Sequence, residues 1–302
     1  MSRMEIPDGR GGNLAARNAI AIRPARPEDV RPALDLAIRV YMVYSAPLYE
    51  PEAVEYFPNK CRDEERIREF MDGKHLMFTA WDGEQLVGMA AQRGKDISHL
   101  YVEPAYHRRG IAKKLMDTLI AAMNVPRVTL GSSPHGVPFY LYYGFVPTDE
   151  EQHKYGAIWQ PMEYTVPVTV RPARPEEIAP ALDLAQRVCR EFVIPGPNTA
   201  ANYDTVHETM FIAVAGARVV GMASQRGGCH IRKLYVDGAW HRQGIAARLL
   251  DAIIQSMGAD RITVNSSPYA LPFYLKYGFV PTGEEIQANG FVFTPMAYDK
   301  GV

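Results

Sequence analysis

The stretch that decides the fold is "YVEPAYHRRGIAKKL", Tyr101–Leu115, in which an extended apolar run passes through a turn with His-Arg and Gly into a helical pattern. It returns as "YVDGAWHRQGIAARL", Tyr235–Leu249. A helix that begins directly after a strand and a tight turn presents free backbone N–H groups at its first turn, and such an end attracts anions. The sequence therefore predicts two anion-binding turns.

The residues of these turns suit a pyrophosphate group. Gly110 and Gly244 let the backbone come close to phosphate oxygens, and the small Ala112 and Ala246 keep the approach open. Further hydrogen-bond donors or positive charges come from His107, Arg108 and Arg109 in the first turn and from His241 and Arg242 in the second.

The chain is a tandem duplication. "IRPARPEDVRPALDLAIRV" (22–40) recurs at 170–188 as "VRPARPEEIAPALDLAQRV", and "RVTLGSSPHGVPFYLYYGFVPT" (127–148) recurs at 261–282 as "RITVNSSPYALPFYLKYGFVPT". Each repeat has the length of an ordinary globular domain. We predict a loosely held N-terminal tail (1–18), a first domain over 19–165 and a second over 166–302, called copy one and copy two below.

The copies differ in length between the first helix and the following hairpin. The offset between them falls from 148 to 134 positions, so copy two is 14 residues shorter there. Copy one predicts a helix over Arg62–Met71 in this segment, and copy two keeps no comparable helix. Elsewhere each copy reads as strand, helix, hairpin, strand, helix, strand and short helix, with Pro32 placed in the first turn of its helix and Gly144 ending the short one. The class is α/β.

Composition limits the partners. The 33 lysines and arginines nearly balance 34 aspartates and glutamates, so no overall field gathers nucleic acid or an anionic membrane. No apolar run reaches the ~20 residues of a membrane span, and the N-terminus does not look like a signal peptide. The three cysteines lack paired spacing, so we expect no metal site, no disulfide framework and a reducing, cytoplasmic setting.

"LYVEPAYHRRGIA" (100–112) and "LYVDGAWHRQGIA" (234–246) resemble the acetyl-CoA signature of the GNAT superfamily of N-acetyltransferases. "PFYLYYGF" (138–145) and "PFYLKYGF" (272–279) resemble a helix that follows it in that family. His107 and His241 stand where Arg or Gln is usual, and Gly238 replaces the usual Pro. The resemblance implies two tandem domains, each a mostly antiparallel mixed sheet flanked by helices, with a splayed strand pair that binds acetyl-CoA.

The implied activity is direct transfer of an acetyl group from acetyl-CoA to a primary amine, which we expect to belong to a small molecule. Asn265, where copy one has Gly131, is expected to hydrogen-bond the cofactor amide. The other cofactor-binding residues implied by the resemblance are Leu100, Tyr101, Val102, His107, Arg108, Arg109, Gly110, Ile111 and Ala112 in copy one and Leu234, Tyr235, Val236, His241, Arg242, Gln243, Gly244, Ile245 and Ala246 in copy two.

Three residues are candidates for catalysis. By the resemblance, Tyr140 and Tyr274 occupy the position of the general acid, although a tyrosine on a short amphipathic helix is by itself more typical of a core. His99 is a candidate general base with a suitable pKa class, but a structural histidine or a base made of water molecules explains the position equally. Copy two carries Lys233 there, which is a poor base unless its pKa is strongly depressed.

Copy one is expected to be the main catalyst because it keeps the longer acceptor-side segment and His99. Copy two is then expected to bind acetyl-CoA weakly, serve another acceptor or be structural. The alternative is an acyl-CoA sensor or scaffold in which one or both copies are non-catalytic. A nucleotide-binding protein of the P-loop or Rossmann kind is disfavoured, because the sequence lacks the glycine patterns of those folds. A homodimer is compatible with the sequence.

Overall fold

The computed structural model describes residues 19–154, 156–192, 208–288 and 290–301. The predicted tail, and most of the segment in which copy two is shorter, lie outside these residues. Contacts divide the chain into two compact units. The first contains the chain up to Leu119, Leu130–Tyr143 and Asp149–Pro161. The second contains Ile120–Thr129, Gly144–Thr148 and the chain from Met162. No helix in the described part is both long and apolar enough to cross a membrane.

Copy one contains eight strands and six α-helices among its described residues. The strands are β1 Ala21–Pro24, β2 Met77–Asp82, β3 Gln85–Arg93, β4 Asp96–Val102, β5 Arg127–Ser132, β6 Val146–Pro147, β7 Gln152–Lys154 and β8 Ala157–Thr165. The helices are α1 Pro27–Tyr44, α2 Pro51–Val54, α3 Tyr56–Arg62, α4 Glu64–Met71, α5 Ile111–Met123 and α6 Val137–Tyr143.

Copy two repeats this order without counterparts of α2 to α4 among its described residues. Its strands are β9 Val168–Pro172, β10 Glu208–Ala215, β11 Arg218–Arg226, β12 His230–Val236, β13 Arg261–Ser266, β14 Val280–Pro281, β15 Ile286–Ala288 and β16 Phe291–Asp299. Its helices are α7 Ile178–Phe192, α8 Ile245–Ser256 and α9 Leu271–Tyr277.

Each copy forms one eight-stranded sheet. The order is β1-β2-β3-β4-β5-β8-β6 in the first sheet, with β7 on β8, and β9-β10-β11-β12-β13-β16-β14 in the second, with β15 on β16. In the second sheet β12 and β13 pair in parallel, and the other pairs are antiparallel. Two mixed sheets flanked by helices confirm the predicted fold class.

Helix α1 begins earlier than the sequence predicted. Asp29 accepts a hydrogen bond from the Arg26 backbone N–H at 2.7 Å, and Pro27 is the first helical residue. Pro32 therefore lies inside the helix and not in its first turn, so the Glu28 carbonyl has no N–H of Pro32 to accept from. In copy two the corresponding Pro180 is the third residue of α7, within the first turn.

The two helices that follow the first strand of each copy pack on their sheets through apolar faces. Val30, Ala33 and Ala37 of α1 are buried in one cluster with Met89 and Ala91 of β3. The cluster of copy two is built alike from Ala181, Leu184, Ala185 and Val188 of α7 with Ile212 and Met222 of the sheet. These repeated cores hold the C-terminal end of each helix over the fourth strand of its copy.

Helix α4 is the helix predicted over Arg62–Met71. It begins at Glu64 because the Asp63 side chain accepts a hydrogen bond from the Arg66 backbone N–H at 2.9 Å, and Arg62 ends α3. Ile67 and Phe70 are buried, and Met71 is half-buried. The absence of such a helix in copy two was predicted for residues that lie outside the described part of the chain.

Candidate active site

The cavity of copy one runs along strand β4 and has a volume of about 920 Å³. One end is lined by the turn that precedes α5, including Arg108 and Gly110, and the middle by Leu100, Tyr101 and Val102. The other end lies against α1 to α3 and β8. The cavity therefore brings the predicted cofactor-binding residues of copy one together with Tyr140 and His99.

The turn before α5 has the backbone of an anion-binding loop. Arg108 and Gly110 both have positive φ, 59° and 76°, and Arg242 and Gly244 repeat this with 62° and 70°. Such alternating conformations turn successive N–H groups toward one side. A Cβ placed on Gly110 or Gly244 would meet nothing within 4 Å, so the glycine is needed for its φ and leaves open space in front of the amides.

His107 and His241 fix the loop to the strand end. In each copy the imidazole Nε2 lies 2.8 Å from a carbonyl oxygen, that of Val102 in copy one and of Val236 in copy two. A carbonyl only accepts, so Nε2 carries the proton and donates. A neutral ring then has no proton on Nδ1, so these histidines could donate to the anion only as imidazolium ions. The residue that replaces the usual Arg or Gln thus has a structural contact of its own.

The signature strand of copy two parts from its neighbour. Strands β12 and β13 pair only at His230 with Thr263 and at Ile231 with Val264, although β12 continues to Val236. A β-bulge precedes the parted segment of copy two, at the register shift opposite Ser224 and Gln225 in β11, and copy one has the same shift opposite Ala91 and Gln92 in β3. The backbone groups beyond the bulge in copy two are thus free of β13.

Tyr140 and Tyr274 lie at equivalent positions of α6 and α9 but differ in access. Tyr140 is half-buried and lines its cavity, whereas Tyr274 is only 4% exposed. Burial raises the pKa of both hydroxyls above the ordinary tyrosine value. Gly136 lies beside Tyr140, where a Cβ would come within 3.2 Å of Cε2, and copy two has Ala270 at this position.

His99 faces the cavity with both ring nitrogens engaged. Ser98 Oγ donates to the Ala91 carbonyl at 3.2 Å, so at 2.8 Å it accepts from His99 Nδ1–H. His99 Nε2 then lies 3.8 Å from the Cys61 thiol as its acceptor. Burial, with smaller contributions from Arg66 and Arg93, lowers the pKa of His99 to about 4. Such an imidazole is a weak base.

Lys233 takes the His99 position in copy two and is held by a buried carboxylate. Its Nζ lies 2.7 Å from Glu208 Oε2, and the two side chains are 6% and 0% exposed. Ser224 Oγ also donates to this carboxylate at 2.7 Å, and Arg232 Nε lies 3.4 Å from its other oxygen. The ammonium of Lys233 is thus engaged by a buried partner within its own sheet, and Lys233 does not line the cavity of copy two.

The end of the copy one cavity that lies against α1 to α3 and β8, called the acceptor end below, is aromatic, which the sequence analysis did not predict. Tyr41 and Phe57 lie 4.6 Å apart between ring centroids, and Phe57 lies 5.5 Å from Tyr101. Trp159 of β8 packs on Gly131, where a Cβ would come within 2.9 Å of the indole. Tyr49 and Tyr56 also line the cavity, whereas Tyr44 stacks on His135 at 4.5 Å and lies 5.5 Å from His107 of the anion loop.

The cavity of copy two, about 820 Å³, is lined by the second anion loop, strand β12 and Tyr274. Its counterpart of Tyr41 is Cys189, and Lys233 is not among the lining residues. Asn265, which was expected to contact the cofactor, is exposed and is not one of the lining residues either. Ser267 Oγ accepts from the Ala270 backbone N–H at 3.3 Å, so this serine caps the turn.

No group of three or more His, Cys, Asp or Glu side chains that could hold a metal ion occurs in the described ranges. The three cysteines are free, and Cys61 and Cys189 are buried. Burial raises the pKa of Cys61 to about 12, so its thiol is un-ionised at neutral pH.

Comparison with known proteins places both copies in one family. The acetyltransferase (GNAT) domain model matches residues 45–166 and again residues 183–300. The uncharacterised N-acetyltransferase YafP of Escherichia coli K12 is 28% identical over 142 residues, which is 47% of this chain and 91% of YafP. The chain therefore belongs to the GNAT acetyltransferase family, as the two motifs indicated.

Two solved structures are similar over half of the chain. A GCN5-related N-acetyltransferase from Rhodopseudomonas palustris is 23% identical, with a TM-score of 0.44, over 49% of this chain and 97% of its own. The PaiA N-acetyltransferase from Thermoplasma acidophilum, in complex with coenzyme A, is 22% identical, with a TM-score of 0.42, over 49% of this chain and 99% of its own.

Proposed function

We propose that the protein transfers an acetyl group from acetyl-CoA to the primary amine of a small molecule, and that copy one performs the reaction. The observation that carries the proposal is the continuity of the copy one cavity, which joins the anion loop, the signature strand, Tyr140 and the aromatic acceptor end. A cytoplasmic setting and a homodimer remain part of the proposal.

Acetyl-CoA supplies an activated acetyl thioester and carries the pyrophosphate that the loop is suited to hold. The fit rests on the positive φ of Arg108 and Gly110 and on the open space beyond Gly110. Backbone groups of Leu100, Tyr101 and Val102, which line the cavity, are placed to bind the chain that follows the pyrophosphate and to polarise the thioester carbonyl.

Tyr140 is proposed as the proton donor. Burial raises the pKa of its hydroxyl, so the phenol keeps its proton throughout neutral pH and can donate to the departing sulfur. His99 has no comparable role in the proposal, because its two nitrogens are engaged with Ser98 and Cys61. The amine proton then leaves through water.

A second role is proposed for copy two, namely binding of acetyl-CoA without transfer. It is favoured by the Lys233–Glu208 pair, by the burial of Tyr274 and by the position of Ala270. Its anion loop has the same backbone as that of copy one.

The test measures the release of free thiol from acetyl-CoA by the full chain in the presence of each of a panel of amines. Calorimetry of the same chain measures its binding of coenzyme A. Transfer should fall on the order of a hundred- to a thousandfold when Tyr140 of copy one is changed to Phe, and it should be kept when Tyr274 of copy two is changed to Phe. Binding without transfer to any amine would favour the sensor or scaffold alternative. Absence of binding at millimolar coenzyme A would overturn the acyltransferase proposal altogether.

A further inference from the structure

The acceptor end of the copy one cavity offers rings and no carboxylate. Its walls include Tyr41, Tyr49, Tyr56, Phe57 and Trp159, and none of the described residues lining it is an aspartate or glutamate. This composition is typical of a site for a flat apolar group, because aromatic rings stack on one another at centroid distances of about 4.5–7 Å.

The acidic residues of this region do not reach the cavity wall. Glu50, Glu52 and Glu55 lie close together in the sequence of the segment that is longer in copy one, yet all three are exposed and none lines the cavity. The pKa of Tyr41 is raised mainly by burial and then by Tyr49, and Glu55 makes only the smallest contribution. The positive charge of Lys60 lies over the Tyr56 ring at 3.8 Å.

Three histidines line the cavity among the described residues, and two of them, His107 and His135, lie on the side of the anion loop, where both rings contact Tyr44. The histidine beside Phe57 and Tyr101 is His99, and its ring nitrogens are both engaged. His99 Nε2 accepts from Cys61, and the groups around the ring are Ser98, Phe57, Phe70 and Tyr101, with Arg66 and Arg93 acting through their charge. Burial raises the pKa of Tyr101 well above its ordinary value, so this phenol is neutral too. An alkylamine is charged in all but about one molecule in a thousand at neutral pH and would have to lose its proton before it entered.

We propose that the acceptor of copy one is an amine that is uncharged at neutral pH and is attached to a flat apolar ring, as in an arylamine. This inference rests on the proposed acetyltransferase function and narrows its acceptor. The amine nitrogen attacks the thioester carbonyl, the carbon–sulfur bond breaks, the sulfur takes a proton from Tyr140, and the nitrogen releases one proton to water.

The competing occupant is an alkylammonium held by the faces of the rings, since aromatic cages do bind cations. The surroundings of His99 weigh against it, because burial, with smaller contributions from Arg66 and Arg93, already disfavours a positive charge there. Lys60 beside Tyr56 adds to this field at the outer edge of the site.

The test compares two acceptors that share a ring, 4-ethylaniline and 4-ethylbenzylamine, with spermidine as a third. The full chain is assayed at pH 7 by thiol release, and the acetylated product is identified by mass. We expect kcat/KM for the aniline to exceed that for the benzylamine by at least about tenfold. Preference for the benzylamine or spermidine overturns the inference while leaving the acetyltransferase proposal intact, and no transfer to any amine overturns the proposal itself.

Two variants sharpen the test without relying on the tyrosine of α6. Tyr56→Glu places a carboxylate at an exposed position of the cavity wall and should raise kcat/KM for the benzylamine relative to the aniline by about tenfold. Trp159→Leu should raise KM for the aniline about tenfold with little change in KM for acetyl-CoA. Phe293→Leu, the corresponding change in copy two, is the control and should alter neither, and an effect equal to that of Trp159→Leu would contradict the inference.

Discussion

The two copies agree where a pyrophosphate would bind and disagree where an amine would react. Arg108 and Arg242 share a positive φ, and His107 and His241 donate to equivalent carbonyls at the same distance. Around the reacting centre, by contrast, a neutral imidazole is replaced by a buried ion pair and a glycine by an alanine. Two domains of one family thus share the backbone of the anion loop and differ at the position of His99 and beside the tyrosine of the short helix.

The largest expected effect comes from Tyr140→Phe. Removing the proton donor should lower kcat on the order of a hundred- to a thousandfold, with coenzyme A affinity within about twofold of wild type. Tyr274→Phe in copy two is the matched control and should leave kcat unchanged. Equal losses from the two variants would mean that the copies are equivalent catalysts and that the comparison fails.

Next in size is the loss of stability expected on breaking the buried pair of copy two. Lys233→Met leaves the carboxylate of Glu208, which is fully buried, without its main cation and should destabilise the chain by about 3 kcal/mol. Denaturant unfolding measures the change. The double variant Lys233→Met with Glu208→Leu should recover most of the loss, and a double variant no better than the single one would contradict the pairing.

The titration of His99 provides an intermediate effect. Its pKa is lowered to about 4 in the folded chain from an ordinary value near 6.5, so the unfolded chain binds the proton more readily. The contribution of His99 to the free energy of unfolding is therefore fully present above about pH 6.5, and it is lost as pH falls toward 4. His99→Gln should flatten the pH dependence of the free energy of unfolding in this window by about 2 kcal/mol.

The comparison of unfolding at pH 7 and pH 4.5 checks this expectation. Copy two carries no equivalent histidine, and changing its partly buried His230, whose pKa is also lowered by burial, serves as the control for a general effect of removing histidine. Identical pH dependence in wild type and His99→Gln would show that the ring is not held neutral.

A smaller effect is expected from Gly136→Ala, which gives copy one the residue of copy two. The new Cβ would lie 2.8 Å from Ser132 Oγ and 3.2 Å from the Tyr140 ring, so one of them must shift. We expect kcat to fall about tenfold through displacement of the hydroxyl. Ala270→Gly is the reciprocal variant, and it should leave the overall rate unchanged.

The smallest effect is expected from Gly110→Ala and its twin Gly244→Ala. Each Cβ has free space, so the cost is that of positive φ for alanine, about 1 kcal/mol. Calorimetry should find coenzyme A affinity reduced about fivefold at the changed copy. If only one of the two variants affects binding, then only that copy holds the cofactor under these conditions.

Local patterns predicted much of the fold. The hairpin and the helix ended by Gly144 depend on residues close in sequence, and the duplication on direct repetition of the sequence, and all three were found as predicted. The start of α1 was misplaced because Asp29 and Pro27 outweigh the disruption that Pro32 causes in a helix. The signature strand was predicted by resemblance, and its parting in copy two follows from the bulge beside it.

The acceptor surroundings were not predictable because they join distant residues. Cys61 meets His99 across 38 positions of the chain, and Lys233 meets Glu208 across 25. Nothing in the neighbourhood of His99 in the sequence indicates that a thiol occupies its second nitrogen. Charge and ring composition of a cavity are likewise properties of the packed chain, and Tyr41 and Trp159 gave no periodic signal of a shared wall.

Gly131 and Trp159 constrain how the two halves could exchange sequence. The repeats around Gly131 and Asn265 are similar enough for recombination between them, and such an event would set an asparagine against an indole that allows only 2.9 Å for a Cβ. A productive chimera must therefore carry strand β8 along with strand β5, so that the ring and the residue beneath it are inherited together.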